Sequence, residues 1–246
     1  MTRSVAAIAV TPVKAFALQS RDRVTLTENG VDGDRRFLLV DASGARLRSS
    51  VHAWLCTVSA RYDGDRLTIR LPGGDEVEGA ADAVGDAVQF DYHDTLVSGR
   101  VVDGPWTDPL SALARQPVRL VRTDDPARVQ GQPVTLVSSA SLDRFNAEAG
   151  APADQRRFRM LFRVDGCDAH EEDEWLGRRV RIGGAVVRVV ERVERCVVTT
   201  RDPDTGIRDL DTLEILKRYR GSLDFGVRAR IEQPGEVGVG DEVEPL

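Results

Sequence analysis

The chain has 246 residues, of which 41% are hydrophobic and 30% charged; 34 Lys and Arg stand against 40 Asp and Glu, a formal charge of −6. That balance fits a globular protein of one large or two small domains and argues against disorder and a broad nucleic-acid footprint, while leaving room for a concentrated basic pocket. No apolar run reaches the roughly 18 residues of a membrane span, and the start, MTRSVAAIAVTPVKAF, is too weakly apolar for a signal peptide, so the expectation is a cytoplasmic protein without membrane contact.

From Val5 to about Val102 short β-branched runs are cut by turn residues. SVAAIAVTPV, RRFLLVDASGARL, RLTIRLPGGDEVEG and DAVQFDYHDTLVSGRVV read as strands, with turns at Glu28-Asn29-Gly30, Ala42-Ser43-Gly44, Asp63-Gly64-Asp65 and Pro72-Gly73-Gly74. Strands this closely spaced suggest a small barrel or rolled sheet. GPWTDPLSALARQPV reads as a short helix that opens at Asp108-Pro109 and keeps Leu110, Leu113 and Ala114 on one face, and a domain seam is placed beside it.

RLVRT and QPVTLVSS follow as strands, then SASLDRFNAEAG as a helix with Leu142 and Phe145 inward and Gly150 as its stop. Residues 178–200 read as two strands joined at Gly183-Gly184. DTLEILKRYRG is a helix capped by Asp211, with Leu213, Leu216 and Tyr219 toward the core and Gly221 at its end. The tail returns to strands joined by Pro234-Gly235. The fold class is mainly β with a few helices (α+β).

Three cysteines (Cys56, Cys167, Cys196) and three histidines (His52, His93, His170) lie far apart, which writes no disulfide framework, C-x-x-C site or iron–sulfur domain. Cys196, in VERVERCVVTTRDPDTG, has Arg195 beside it and Arg192 near it, which favour thiolate, and Glu194, which opposes it; the local residues allow a nucleophile, a soft metal ligand or an inert strand cysteine. Arg156, Arg157, Arg159 and Arg163 precede the acidic run Asp168, Glu171, Glu172, Asp173 and Glu174. Those guanidinium groups suit a phosphate or carboxylate clamp, or simply mutual pairing along a solvated edge. Lys14, Arg35 and Arg36 add basic residues at strand ends. No P-loop, G-x-G-x-x-G or Ser-His-Asp pattern is present.

Taken in order, RFRMLFRVDGCDAHEEDEW, RIGGAVVRVVERVERCVVTTRDPDTG and LEILKRYR resemble the MOSC family, in the branch that contains the mitochondrial amidoxime reducing component and its bacterial relatives. TPVKAF, DRRFLLVD and the final FGVRARIEQPGEVGVGDEVEPL extend the likeness over nearly the whole chain. The resemblance implies a MOSC β-barrel domain at 117–246 behind an N-terminal β-barrel-like domain at 1–116, with a pyranopterin-bound molybdenum (the molybdenum cofactor) between them. It implies Cys196 as the molybdenum ligand, Lys14, Arg35 and Arg159 as cofactor-phosphate contacts, and Asp168 near the metal pocket as a second catalytic residue. The implied activity is reduction of small N-hydroxylated or N-oxide substrates with electrons from a separate donor protein. A non-catalytic carrier of the cofactor, or of a persulfide sulfur on Cys196, is the alternative, and a scaffold without cofactor a third. The chain departs from the family pattern at Ala15, Gln130, Leu161 and Glu194, changes expected to fall on the cofactor side.

Overall fold

The computed structural model describes residues 2–81, 85–92, 96–124, 129 and 133–246; Gln130 and His93 lie outside them. Among the described residues the strands form four sheets, and helices cover 107–114, 139–149 and 212–220. The largest sheet has eight strands in the order Val243–Pro245, Arg179–Ile182, Ala185–Glu194, Asp224–Gln233, Val134–Ser138, Phe162–Asp165, Ser4–Val10 and Gln19–Arg21. A four-stranded sheet runs Phe37–Asp41, Val118–Thr123, Leu96–Val101, Ala87–Asp91. Two three-stranded sheets complete the set: one joins Gly235–Gly238, Arg23–Thr27 and Gly30–Val31, the other Ser59–Tyr62, Arg66–Arg70 and Glu76–Ala80. The fold is therefore mostly strand with few helices, as the patterning predicts.

The chain exchanges strands between its two ends. Ser4–Val10 pairs antiparallel with Phe162–Asp165, and Arg23–Thr27 pairs with Gly235–Gly238. In return, Val118–Thr123 pairs with Phe37–Asp41 and Leu96–Val101. Side chains of the large sheet meet in one apolar cluster that includes Ile8, Leu161, Phe162, Trp175 and Val187, and a second gathers Phe16, Phe37, Trp106 and Leu120. Period-two alternation explains both, since residues two apart along a strand share a face.

The helices at 139–149 and 212–220 cover a third cluster built on Phe145, Phe158 and Phe225, whose rings pack 4.4–5.7 Å apart. Ser138 and Asp211 cap them by accepting from the backbone N–H groups of Ser141 and Glu214. Both stop at the glycines the sequence marks, Gly150 and Gly221. The second helix buries Leu216 and packs Tyr219 against this cluster as expected; Thr212 and Ile215 are buried as well, and Leu213 is only half-buried. Thr212 turns inward because its hydroxyl meets that of Thr199. No helix among the described residues is long and apolar enough to cross a membrane.

Candidate functional site

Lys14 and Arg35 come together because TPVKAF and GDRRF lie side by side. Arg35 N–H donates to Thr11 O at 2.7 Å, Phe37 N–H to Pro12 O at 3.0 Å and Lys14 N–H to Phe37 O at 2.7 Å. Val13 bridges Phe37 in parallel register, and buried Asp34 accepts from Thr11 N–H at 2.8 Å while pairing with the Arg35 guanidinium. The turn is tight enough that Ala15 (φ 75°) and Arg35 (φ 48°) both adopt left-handed backbone, a conformation costly for residues with a Cβ and tolerated where surrounding contacts over-determine it.

Arg159 arrives from the other end of the chain. The short helix Gln155–Phe158, capped by Asp154, ends on Arg159 in left-handed conformation, and the guanidinium Nη2 donates to Phe16 O at 2.7 Å. Of the four arginines in this stretch, Arg157 and Arg159 reach the cation-lined cavity, and only Arg159 does so without a carboxylate partner among the described residues. Arg156 is held bidentate by Asp204 (2.8 and 2.7 Å) and by Asp154, Arg157 bidentate by Asp209 (2.7 Å twice), and Arg163 donates to Gln155. These partners come from 154–155 and the loop 202–209. The acidic run pairs elsewhere, Glu171 with Arg3 and Asp173 with Arg192 and Arg220.

Lys14, Arg35 and Arg159 line a cavity of about 460 Å³, with Arg46, Arg48 and Arg228 among its other cations and Glu194 as the one carboxylate among the described lining residues. Cys196 lines the same cavity and is exposed. Burial pushes the Lys14 ammonium well below its usual pKa, and the charges of Arg35, Arg46 and Arg159 add to the fall against a smaller opposing effect of Asp34. Arg159 is lowered to about 10, first by burial and then by Arg35, with Asp34 and Cys56 opposing. Cations crowded this way are an electrostatic site for an anion.

Cys196 sits where the strand Ala185–Glu194 breaks into the short helix Val197–Thr200. Thr199 closes that turn twice, its N–H and its hydroxyl both donating to Cys196 O at 3.1 and 3.0 Å, and Thr200 Oγ1 donates to Val197 O at 2.8 Å. The Thr-Thr step thus holds the backbone that presents the thiol. Arg195 has a different task from the one its position suggests. It is buried, and its guanidinium donates to Phe225 O (2.9 Å), Phe158 O (2.8 Å) and Met160 Sδ (2.7 Å). Burial lowers it to about 9. It therefore pins the cavity wall, while Arg192 is engaged by Asp173 at 3.5 Å.

Two expected residues fall outside the cavity. Asp168 is exposed on a loop where its N–H donates to Glu171 Oε2 at 2.9 Å and its carbonyl accepts from Ser138 Oγ at 3.4 Å. The structure does not bring it to the Cys196 cavity, because the neighbouring left-handed His170 turns the chain toward the helix Glu171–Trp175. Leu161, another of the departures, is 1% exposed in the core of the large sheet and does not line this cavity. Glu194 does line the cavity. The sequence reading missed Arg46, Arg48, Tyr92 and Arg228, which come from separate segments with no local motif.

The chemistry of this donor set is specific. A lone exposed thiol offers a soft ligand, and a basic cradle offers charge-assisted hydrogen bonds to a phosphate. Among the described residues no group of three or more His, Cys, Asp or Glu is placed to hold a metal ion, so the remaining ligands of a metal at Cys196 would have to come with an organic partner. A pyranopterin bearing a phosphate fits both features.

The sequence matches the MOSC domain over residues 117–244 and the MOSC N-terminal beta barrel domain over residues 2–107. It is 27% identical to the Bos taurus protein named mitochondrial amidoxime reducing component 2 over 275 residues, covering 94% of this chain and 80% of that protein. It is 36% identical to the Mus musculus mitochondrial amidoxime-reducing component 1 over 143 residues, 53% of this chain and 42% of that protein. A Caenorhabditis elegans protein named molybdenum cofactor sulfurase is 28% identical over 232 residues, 89% of this chain and 32% of that protein. The chain thus spans less than half the length of the latter two relatives.

Proposed function

The chain belongs to the MOSC domain family, and from that premise we propose that it is a molybdenum-cofactor-dependent oxidoreductase that reduces N-hydroxylated or N-oxide compounds. The observation that carries the reading is the convergence of the exposed Cys196 thiol and the Lys14, Arg35 and Arg159 cluster on one cavity. The names of two relatives supply the substrate class. When bound, the cofactor would supply two-electron chemistry in which the N–O bond breaks and the oxygen leaves as water, with two electrons and two protons taken up.

Each residue has a task in this reading. Cys196 provides the thiolate ligand, on a turn held by Thr199 and Thr200. Lys14, Arg35 and Arg159 grip the phosphate, and Asp34 holds Arg35 in place. Arg195 fixes Phe158 and Phe225 behind the site. The electrons come from a separate donor protein, and protons enter from solvent through the open mouth. Asp168, exposed outside the cavity, takes no part.

The test is molybdenum and pterin content of protein made in a cofactor-competent host, for wild type, Cys196→Ala and Arg159→Ala, with turnover of an amidoxime, a hydroxylamine and an N-oxide under a chemical reductant. Cys196→Ala should abolish turnover and change the metal spectrum. Arg159→Ala removes charge-assisted hydrogen bonds worth roughly 1.5–3 kcal/mol and should lower pterin occupancy about tenfold or more. A wild-type spectrum untouched by Cys196→Ala refutes the ligand assignment. Loaded protein that turns over nothing, yet passes cofactor or sulfur to a recipient enzyme, would replace the reductase with the carrier.

A further inference from the structure

Arg46 and Arg48 have no task in that reading. Both line the cavity, flanking the buried Leu47. Their segment is fixed: Leu47 N–H donates to Leu39 O at 2.9 Å and Arg46 forms a backbone bridge with Val40, which ties it to the strand Phe37–Asp41. The Arg46 guanidinium lies 4.4 Å over the Tyr92 ring, and its Nε is buried without a partner among the described residues. Burial lowers its pKa and Arg48 lowers it further, against Tyr92 and a weaker influence of Asp91. Neither arginine has an ion pair among the described residues. Two guanidinium groups held in one cavity repel, and an oxyanion bridging them would turn that repulsion into charge-assisted hydrogen bonds.

We propose that Arg46 and Arg48 form a subsite for a carboxylate or similar oxyanion carried by the substrate, so that the chain acts on N-oxygenated compounds that bear an acidic group. This rests on the reductase reading and narrows its substrate class. Glu194 gives the orientation. As the carboxylate two residues from Cys196 on the cavity lining, it repels an anionic group on its own side, leaving the N–O end for Cys196 and the acidic end for the arginines. The shape of the guanidinium fork favours a planar carboxylate, which it meets with two parallel hydrogen bonds.

The test compares a carboxylate-bearing aryl amidoxime with its uncharged parent, on wild-type holoenzyme and on Arg48→Gln, Arg48→Glu and Arg46→Gln, with pterin content measured for each. Wild type should show a KM lower for the acid by about tenfold, the size expected of a charge-assisted contact. That ratio should fall toward one in Arg48→Gln and invert in Arg48→Glu; exposed Arg48 keeps the test alive should the half-buried Arg46 variant fail to fold. Calorimetric titration with the two amidine products reads the same preference without turnover. Equal affinity for the two products overturns the proposal. So does loss of pterin in Arg46→Gln and Arg48→Gln with the KM ratio unchanged, since the cations would then serve the cofactor's phosphate. A retained preference for the acidic product, abolished in Arg48→Gln, with neither amidoxime reduced, refutes the reductase reading and keeps the anion subsite.

Discussion

Arg159 is held charged in surroundings that disfavour its charge, and the same burial and neighbouring cations lower the Lys14 ammonium. Arg159 falls well below the usual guanidinium range, to about 10, in the folded chain, so above that value the unfolded chain keeps a proton that the native state has lost, and stability rises with pH. Below about 10 both states are protonated and the full electrostatic penalty remains, which includes every neutral condition. An anion in the cavity relieves it. Inorganic phosphate should therefore raise the melting temperature of cofactor-free protein at pH 7.5 relative to chloride at matched ionic strength, by about 2–4 °C for each 1 kcal/mol of binding in a chain of this size. An unchanged melting temperature would mean that the cations do not act together. Glu172 shows the opposite sign. It is 1% exposed, accepts from Ser141 Oγ at 2.7 Å, and burial raises its pKa above the ordinary 4.5. Its contribution is complete below 4.5 and is lost as pH rises through the folded value, where a buried carboxylate must ionise. Glu172→Gln should then gain on wild type in melting temperature between pH 4.5 and pH 8. A difference equal at the two pH values would show that the folded and unfolded chains bind the same number of protons at Glu172, so that burial does not raise its pKa.

At the scale of elements, the loop 201–206 is closed by its own hydrogen bonds and tied to the segment around Ser50 and Ala53. Asp202 Oδ1 accepts from Asp204 N–H, Thr205 N–H and Thr205 Oγ1 at 2.8–3.1 Å, Arg201 donates to Ser50 O at 3.2 Å and to Gly206 O at 2.9 Å, and Gly206 N–H closes on Asp202 O at 2.8 Å. Gly206 has φ 72°, and a Cβ there would lie 2.8 Å from Ala53 O. Gly206→Ala should destabilise by about 1–2 kcal/mol from the backbone conformation alone, and the clash pushes the loop away from the short helix Ala53–Thr57. Chemical denaturation measures the first effect. Faster alkylation of half-buried Cys56, whose thiol lies 3.8 Å from Asp202 O, reports the second. Unchanged Cys56 reactivity would show that the loop absorbs the methyl without moving. The Asp-Pro-Asp-Thr-Gly run forms its turn by local bonds of the kind such residues make. In the helix 212–220, Leu216 and Tyr219 read correctly and the burial of Thr212 ahead of Leu213 did not, because the Thr199–Thr212 contact joins residues in different elements.

Across the whole molecule, strand exchange ties the two ends into one folding unit. A chain begun at residue 117 lacks Ser4–Val10, Gln19–Arg21 and Arg23–Thr27, and so leaves open edges on Phe162–Asp165 and on Gly235–Gly238. It also lacks the partners of Val118–Thr123. Exposed unpaired edges of this kind aggregate. The fragment 117–246 should therefore be insoluble or show no cooperative melt, and co-expression with 1–116 should restore one. A soluble fragment with a sharp transition of its own would show that the exchanged strands are dispensable.

What the sequence by itself determined was the element pattern. Alternation in RLTIRLPGGDEVEG, the Ser138 and Asp211 caps and the glycine stops act within a few residues of one another, so their signals survive without knowledge of the fold. Motif order also made Lys14, Arg35, Arg159 and Cys196 candidates. What only the tertiary structure decided was which charges remain unpaired. Arg156, Arg157 and Arg159 are adjacent in sequence, yet Asp204 and Asp209 come back from some fifty residues away to take the first two, and Arg159 is left beside Lys14. Arg195 touches Cys196 in sequence and faces Phe225 in space, while Arg46 reaches the cavity through a strand pairing no motif records. Electrostatic and hydrogen-bond partners are chosen by distance through space, and in a sheet that joins residue 8 to residue 162 that distance cannot be read along the chain.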